Sequence, residues 1–360
     1  MELIGKTNQE LREICVGLGE PAYRGDQLYR ALYSERKLNL EQISNLPAEF
    51  RAQLAEGAEA GPRVKKRFWS ADGSIRYLFE LGTGSEKEPR RTAAVEAVFM
   101  PSEERQTICI STQAGCAVNC QFCLTAQLGL IRNLTPGEIL AQVLVALEEN
   151  KAVLTPHTNI VFMGQGEPLL NFDAVLTACR ILQDPAGVGI PAKRVTISTS
   201  GIVPGIERLA MESERPKLAI SLNASNNEQR EALMPINRKY PLEVLLGACR
   251  KYPLRSWEYL MFEYVMLGKL NDAAEDARRV VKLLSGIKAK VNLIPWNPGD
   301  LPYQESTEEA IAIFQNILIE RGIATFVRRS RGRDVMAACG QLALLDSGGS
   351  GRAATNLVSL

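Results

Sequence analysis

An α/β fold organised around a parallel sheet is what this sequence predicts, and three observations predict it. From Thr107 onward, apolar segments of strand length alternate with amphipathic segments of helical period, as βα units require. The chain has 360 residues and 46% apolar content, enough to bury a core of that size beside a small accessory unit. Where the first of these strands ends, a run of three cysteines begins, and ligand chemistry in α/β folds gathers at the carboxyl ends of strands.

The first 60 residues read as short helices over 8–18, over 25–34, and over 40–43 continuing through 47–55. They are amphipathic at helical spacing, as at Leu28, Leu32 and Tyr33, and are punctuated by Gly19, Pro21, Gly25 and Pro47. Gly61 and Pro62 mark a boundary. Beyond it, 67–81 alternates around Ala71-Asp72-Gly73 as a β-hairpin does, and a polar break over 82–91 precedes a strand over 94–100. Six further strands follow over 107–111, 159–163, 194–198, 217–222, 257–266 and 290–294. Helices lie between them over 137–149, 172–182, 203–211, 226–233 with 242–252, and 272–284, and a sixth runs over 306–321. Thr135-Pro136-Gly137-Glu138 is a complete helix start: cap, proline at the first position and reciprocal glutamate. Six βα units give a parallel sheet either curled into a partial barrel or doubly wound. The expected organisation is a helical accessory domain over 1–60, a β-hairpin linker over 61–93, a core over 94–345 and a disordered Gly/Ser/Ala-rich tail over 346–360.

A formal charge of +1 means that any nucleic acid must be met by local basic patches rather than by a general field. Two candidates are Arg63, Lys65, Lys66 and Arg67, and Arg328, Arg329, Arg331 and Arg333. No stretch approaches the roughly 18 apolar residues of a membrane span, and residues 1–25 lack a signal-peptide pattern, so a cytoplasmic protein without membrane association is expected. Eight cysteines at irregular spacing point to metal or redox chemistry rather than a disulfide framework. Cys15, Cys179 and Cys249 fall on helical patterns as packing residues. His157 is the single histidine, which excludes multi-histidine metal sites and histidine acid–base catalysis.

Cys116, Cys120 and Cys123 carry the strongest signal. A C-x3-C-x2-C run without a fourth cysteine nearby is a poor structural zinc site, which wants four closed ligands. It suits an iron–sulfur cluster held through three irons, the fourth left open to a small molecule. A redox pair and a partial zinc knuckle are the other readings. Met163-Gly164-Gln165-Gly166-Glu167-Pro168 closes the second strand, with glycines that let backbone approach a ligand and a carboxylate able to accept from an ammonium group. Alone it also reads as an ordinary βα turn.

The cysteine run resembles the motif of the radical S-adenosylmethionine (SAM) superfamily. The resemblance implies a [4Fe-4S] cluster on Cys116, Cys120 and Cys123, SAM chelated to its open iron, and Phe122 packed near the adenine. The turn after the second strand resembles that superfamily's Gly-Glu-Pro motif, which implies that Gly166 and Glu167 hold the SAM amino group. Ser198, Ser221-Leu222-Asn223 and Asn297 fall at equivalent strand ends and are further expected SAM contacts. Asn223 stands where the family usually has histidine; it can hydrogen-bond but cannot titrate.

Cys109, the cysteine run, MGQGEPLLN, VTISTSG, NLIPWNP, RRSRG, AACGQL and the helical start together resemble the RlmN family of adenine C2-methyltransferases across nearly the whole chain. That resemblance implies a partial (β/α)6 barrel of the radical SAM type and an RNA-binding accessory domain. It also implies 23S rRNA and tRNA as substrates, a low-potential donor of the flavodoxin or ferredoxin class, and a monomer. Adenine C2 is electron-poor and cannot take a methyl from a sulfonium directly, whereas a thiolate can. By resemblance, Cys339 takes the methyl from one SAM. A 5′-deoxyadenosyl radical from a second SAM then removes hydrogen from the thioether, and the carbon adds to C2. Cys109 releases the product by attacking the Cys339 sulfur, leaving a disulfide to be reduced. Glu96 matches the family's proton-handling position; by itself it reads as a solvent-facing strand carboxylate. Two rivals are a C8-methylating relative and a non-catalytic RNA-binding protein with a structural metal.

Overall fold

The structure, a computed structural model, describes residues 2–58, 61–82 and 91–344. The expected disordered tail lies outside the described residues, as does most of the polar break before the third strand. Three helices open the chain: α1 (Asn8–Gly17), α2 (Tyr23–Tyr29) and α3 (Ala48–Gly57). Thr7 and Glu10 form a reciprocal capping box on α1. Gly25 is where α1 and α2 cross, for a Cβ there would lie 2.4 Å from Arg12 Cα. The expected helix over 25–34 is instead α2 followed by a π-helical turn, Arg30–Ser34. The run expected over 40–55 is broken into a 3-10 turn, Leu40–Gln42, and α3. Pro47 explains the break, since it has no N–H to donate and drives Leu46 out of the helical region.

The three helices share a core with the rest of the chain, where Leu11, Leu28, Phe50 and Leu54 join the same buried cluster as Ile139, Ile160 and Phe262. Tyr29 Oη donates to Asp184 at 2.8 Å, and Tyr33 Oη accepts from Gly5 N at 2.8 Å. A Cβ on Gly5 would sit 2.4 Å from Gly137 N, so the amino-terminal segment lies directly on the first residues of the following helix.

The hairpin is β1 (Arg63–Trp69) and β2 (Ile75–Leu81). It is no detached linker: β2 pairs antiparallel with β3 (Ala93–Pro101), and β3 with β4 (Gln106–Cys109), so the hairpin extends the main sheet. After β4 comes a small hairpin, β5 (Gln113–Gly115) with β6 (Leu130–Asn133), which encloses α4 (Leu124–Gln127) and the cysteine run. Then follow α5 (Pro136–Glu149), β7 (Thr158–Phe162), α6 (Phe172–Gln183), β8 (Val195–Thr199), α7 (Val203–Ala210) and β9 (Lys217–Ser221). The chain continues through α8 (Asn227–Leu233), α9 (Leu242–Lys251), β10 (Leu260–Met266), α10 (Ala274–Leu283), β11 (Ala289–Pro295), α11 (Glu308–Glu320) and β12 (Ala324–Val327).

The ten-stranded sheet has the order β1-β2-β3-β4-β7-β8-β9-β10-β11-β12, parallel from β4 onward. Every crossover therefore steps in the same direction. A doubly wound sheet needs a reversal of strand order and is excluded; crossovers of one hand put the helices on one face and curl the sheet. The fold is a partial (β/α)6 barrel with β12 as an additional strand after the sixth unit.

Candidate active site

Two cavities, of about 170 and about 300 Å³, meet at the carboxyl ends of the parallel strands. The smaller is walled by the cysteine run. Gly115, at φ +74° and with no room for a Cβ beside Gly129 O, folds the loop back on itself. Cys116 N then donates to Gly129 O at 3.0 Å, Cys123 N to Cys120 O at 3.2 Å, and Gln121 N to Leu233 O at 2.9 Å. All three cysteines are half-buried and border the same cavity. Burial pushes the Cys116 thiol up to about 12 and raises Cys120 and Cys123 as well, and neighbouring sulfurs oppose ionisation of Cys116 and Cys120 further. Such sulfurs become thiolates only beside a strong positive charge. Among the described residues no three His, Cys, Asp or Glu side chains are placed to hold one metal ion. Three soft ligands spread around one cavity fit a larger, multi-iron cluster instead.

The turn after β7 forms the opposite wall. A Cβ on Gly164 would lie 2.7 Å from Ser111 Oγ, and Gly166 (φ +98°) would place one 2.5 Å from Gln113 Cβ, so both positions require glycine. Glu167 Oε2 accepts from Ser200 N and Ser200 Oγ, each at 2.6 Å, and Oε1 accepts from Leu169 N at 3.0 Å. A carboxylate offers about four acceptor sites, so one remains for a ligand in the cavity. Burial raises its carboxyl, and the Ser200 bonds oppose that. Phe122, Ser198, Ser221, Asn223 and Asn297 all border the same space. Asn223 sits at φ +54°, its Oδ1 accepting from Val265 N at 2.8 Å. Leu222 is not in this wall: its side chain is buried in the core, and only its backbone serves the site, donating to Glu263 O and accepting from Arg230 Nε. Sequence reasoning missed Ser200, Glu263 and Arg230. Arg230 is fully buried, and its guanidinium ties the carbonyls of Ser200, Ser221 and Leu222 together beneath the cavity.

Cys109, at the end of β4, and Cys339, on the loop after the 3-10 turn Arg333–Val335, both border the larger cavity. Cys339 also borders the smaller one. Its loop is anchored from three sides. Asn297 Nδ2 donates to Cys339 O at 3.1 Å, Leu124 N to Gly340 O at 2.8 Å, and Gln341 Nε2 to Pro298 O at 2.8 Å. Burial and the nearby Cys339 push the Cys109 thiol up to about 12. Desolvation raises Cys339 too, while Arg328 pulls it down. Both are free thiols in this structure, so the disulfide expected from the family is not formed.

The radical SAM superfamily model matches residues 110–284, and a model described as the ribosomal RNA large subunit methyltransferase N-terminal domain matches residues 1–60. The chain is 50% identical over 344 residues to the probable dual-specificity RNA methyltransferase RlmN of Koribacter versatilis, covering 90% of this chain and 96% of that one. It is 46% identical to the dual-specificity RNA methyltransferase RlmN 2 of Myxococcus xanthus, over 92% of this chain and 87% of that one. The chain belongs to the RlmN family. A radical SAM methyltransferase from Sphaerobacter thermophilus superposes with a TM-score of 0.89 at 40% identity, covering 95% of this chain and 99% of that one. Like other radical SAM proteins, a member of this family works with a [4Fe-4S] cluster and SAM.

In this RlmN-family protein the fold removes the alternative reading of Glu96 and changes the setting of the basic clusters. Glu96 is not solvent-facing: it is fully buried, ion-paired with Arg76, and its Oε2 accepts from Leu344 N at 3.0 Å. The main core packs on one face of β3, at Val95 and Ala97, and Leu342 and Leu344 cover the other, at Ala94 and Val98, which a single strand's alternation cannot reveal. Breaking this pair with Arg76→Met is expected to cost about 3–5 kcal/mol of unfolding free energy, because a buried carboxylate is left without its cation. A urea melt measures it, and the double variant Arg76→Met/Glu96→Gln recovers part of the loss. The basic clusters are also largely neutralised. Arg63 pairs with Glu80, Arg67 with Glu149, Arg329 with Glu308, Arg331 with Asp72 and Arg333 with Glu305. Arg328 and Arg105, both exposed and bordering the larger cavity, have no ion-pair partner among the described residues.

No helix of the described residues is long and apolar enough to cross a membrane.

Proposed function

We propose that this protein methylates C2 of an adenosine in 23S rRNA, and in tRNA beside the anticodon, through a methylated Cys339. The observation that carries the proposal is the position of Cys339, one thiol bordering both the cysteine-walled cavity and the cavity that holds Cys109, Arg105 and Arg328. When bound, the reduced cluster and SAM supply a transferable methyl group and a carbon radical able to take hydrogen from a methyl thioether. Cys116, Cys120 and Cys123 would hold the cluster, and Gly166, Glu167, Ser198, Ser221, Asn223 and Asn297 would hold SAM, with Phe122 against its adenine and Leu222 contributing backbone only.

The chain's own residues then do the following. Cys339 loses its proton, and the sulfur pair forms the bond to the methyl carbon. The same sulfur holds that carbon at the boundary of the two cavities while it bonds to adenine C2. Cys109 loses its proton and attacks the Cys339 sulfur. The S–S bond forms, the C–S bond breaks with its pair going to carbon, and protonation there gives the methyl group. The resulting Cys109–Cys339 disulfide is reduced before the next turnover. Glu96, whose carboxyl burial raises, borders neither cavity: Arg76 and Leu344 N hold it, so it would accept the C2 proton of the adduct only once the 342–344 segment covering it moves aside. A low-potential flavodoxin or ferredoxin would provide the electron that starts the reaction, and the unpaired electron of the C2 adduct would return to that low-potential chain as the C2 proton leaves.

RNA enters at the larger cavity, where Arg105 and Arg328 meet phosphates. Neutralising both is expected to weaken RNA binding and to flatten log K against log salt by roughly two units, at about 0.9 per lost contact. Equal slopes for variant and parent across a salt series would remove these residues from the interface. Anaerobic incubation of the cluster-loaded protein with an rRNA fragment, followed by mass spectrometry of the nucleosides, tests the function. 2-Methyladenosine supports it; 8-methyladenosine assigns the C8 reaction instead.

A further inference from the structure

Glu263 lies in the middle of β10, where it faces Ser221 across the pairing with β9 and Asn292 across the pairing with β11. Residues level with one another in a parallel sheet project to the same face. Glu263 and Ser221 accordingly border the smaller cavity together. The side chain is 5% exposed. Asn292 Nδ2 donates to its Oε1 at 2.9 Å, but its Oε2 is buried and accepts no hydrogen bond. Burial raises the Glu263 carboxyl, while Arg328 and the Asn292 hydrogen bond oppose that. A buried carboxylate oxygen without a donor is costly, and the open side of this one is the cavity. Its donor therefore belongs to a bound molecule.

We propose that Glu263 is a cofactor-binding residue whose Oε2 accepts a hydrogen bond from a ribose hydroxyl of SAM. The proposal rests on the cofactor reading above and adds a contact to it. SAM carries three kinds of donor: the ammonium group, the ribose hydroxyls and the adenine amine. Glu167 already offers an acceptor for the ammonium, and it follows β7, three strands from β10. At about 4.8 Å per strand the two positions are about 14 Å apart along the sheet, too far for the two carboxylates to share one ammonium. Ser221 and Glu263 stand side by side on adjacent strands, a hydroxyl next to a carboxylate oxygen, which matches the two neighbouring oxygens of a ribose diol. An acid reading ribose hydroxyls is a recurring solution in α/β folds, and here the acid is level with Ser221, the last residue of β9.

The test is equilibrium binding to the full-length, cluster-loaded protein, with no turnover involved. The ligands are S-adenosylhomocysteine, its 2′-deoxy and 3′-deoxy analogues, and an analogue lacking the adenine amine. The parent protein is expected to bind one deoxy analogue about ten-fold or more weakly, the scale of a charge-assisted hydrogen bond. Glu263→Met, with unchanged iron content and circular dichroism, should bind S-adenosylhomocysteine and that analogue equally. Glu263→Gln keeps an acceptor without the charge and should retain a few-fold preference, which preserves the test if the methionine variant does not fold. Undiminished deoxy discrimination in either foldable variant overturns the proposal, as does a loss of discrimination confined to the analogue without the amine. Failure of the parent protein to bind S-adenosylhomocysteine at all overturns the cofactor reading itself.

Discussion

Cys109→Ala protein incubated with substrate RNA, SAM and reductant is expected to accumulate as a covalent protein–RNA conjugate, visible as a nuclease-sensitive shift on a denaturing gel. Methylated product should fall below about a thousandth of the parent level, the loss typical of deleting a covalent nucleophile. Cys339→Ala should lose product to the same extent and form no conjugate, because the tether is a bond to that sulfur. The double variant should behave like Cys339→Ala. These expectations follow from both thiols bordering one cavity while Cys339 alone of the pair borders the second. Release also carries a pH signature. Burial holds the Cys109 thiol at about 12. Below that value its thiolate fraction rises about ten-fold per pH unit, so resolution of the conjugate should accelerate about ten-fold per unit between roughly pH 7 and 9. A Cys109→Ala enzyme that turns over normally and traps nothing would remove Cys109 from the mechanism.

What the sequence discloses about this site depends on how local each signal is. The cysteine run and the Met163–Pro168 turn are legible because all their parts lie within a few residues. The strand ends carrying Ser198, Ser221 and Asn297 are legible because the periodicity changes there. Leu222 fails for the same reason that its neighbours succeed: successive strand residues face opposite ways, so flanking a site residue puts it in the core. Glu263 is invisible, since an acid within a strand ordinarily signals the solvent face, and only the curl of the sheet turns that face into the interior of a barrel. Charge pairing is non-local in the same way. Arg331 and Arg333 look like an RNA patch until Asp72 and Glu305 are folded against them, and Arg105 gains its place beside Arg328 only when β4 and β12 face one cavity. Cys109 and Cys339, 230 residues apart in the chain, are joined by family resemblance alone until the loop after Val335 is seen tied to Leu124, Asn297 and Pro298. The small hairpin β5–β6 and the strand β12, at three to four residues each, fall below the length at which alternation can be recognised.

Replacing any one of Cys116, Cys120 or Cys123 with alanine is expected to abolish both iron loading and reductive release of 5′-deoxyadenosine, to below about a thousandth of the parent rate. The three sulfurs border one cavity and no fourth cysteine joins that run; Cys339, which also borders the cavity, is tied to the separate loop after Val335. Their thiols are held neutral by burial in the metal-free protein, so loading should release protons and be favoured by raised pH. Gly166→Ala makes a sharper comparison. It removes no ligand, yet it forces a side chain onto a φ of +98° and against Gln113. Iron content should survive, while deoxyadenosine release falls because Glu167 is displaced from the cavity. Cys339→Ala should keep both iron and release, separating the thiol that accepts a methyl from those that hold the cluster. Zinc in place of iron after anaerobic reconstitution, or full release from a Cys120→Ala protein, would show that the cysteine run serves another purpose, and the assignment of both cavities would go with it.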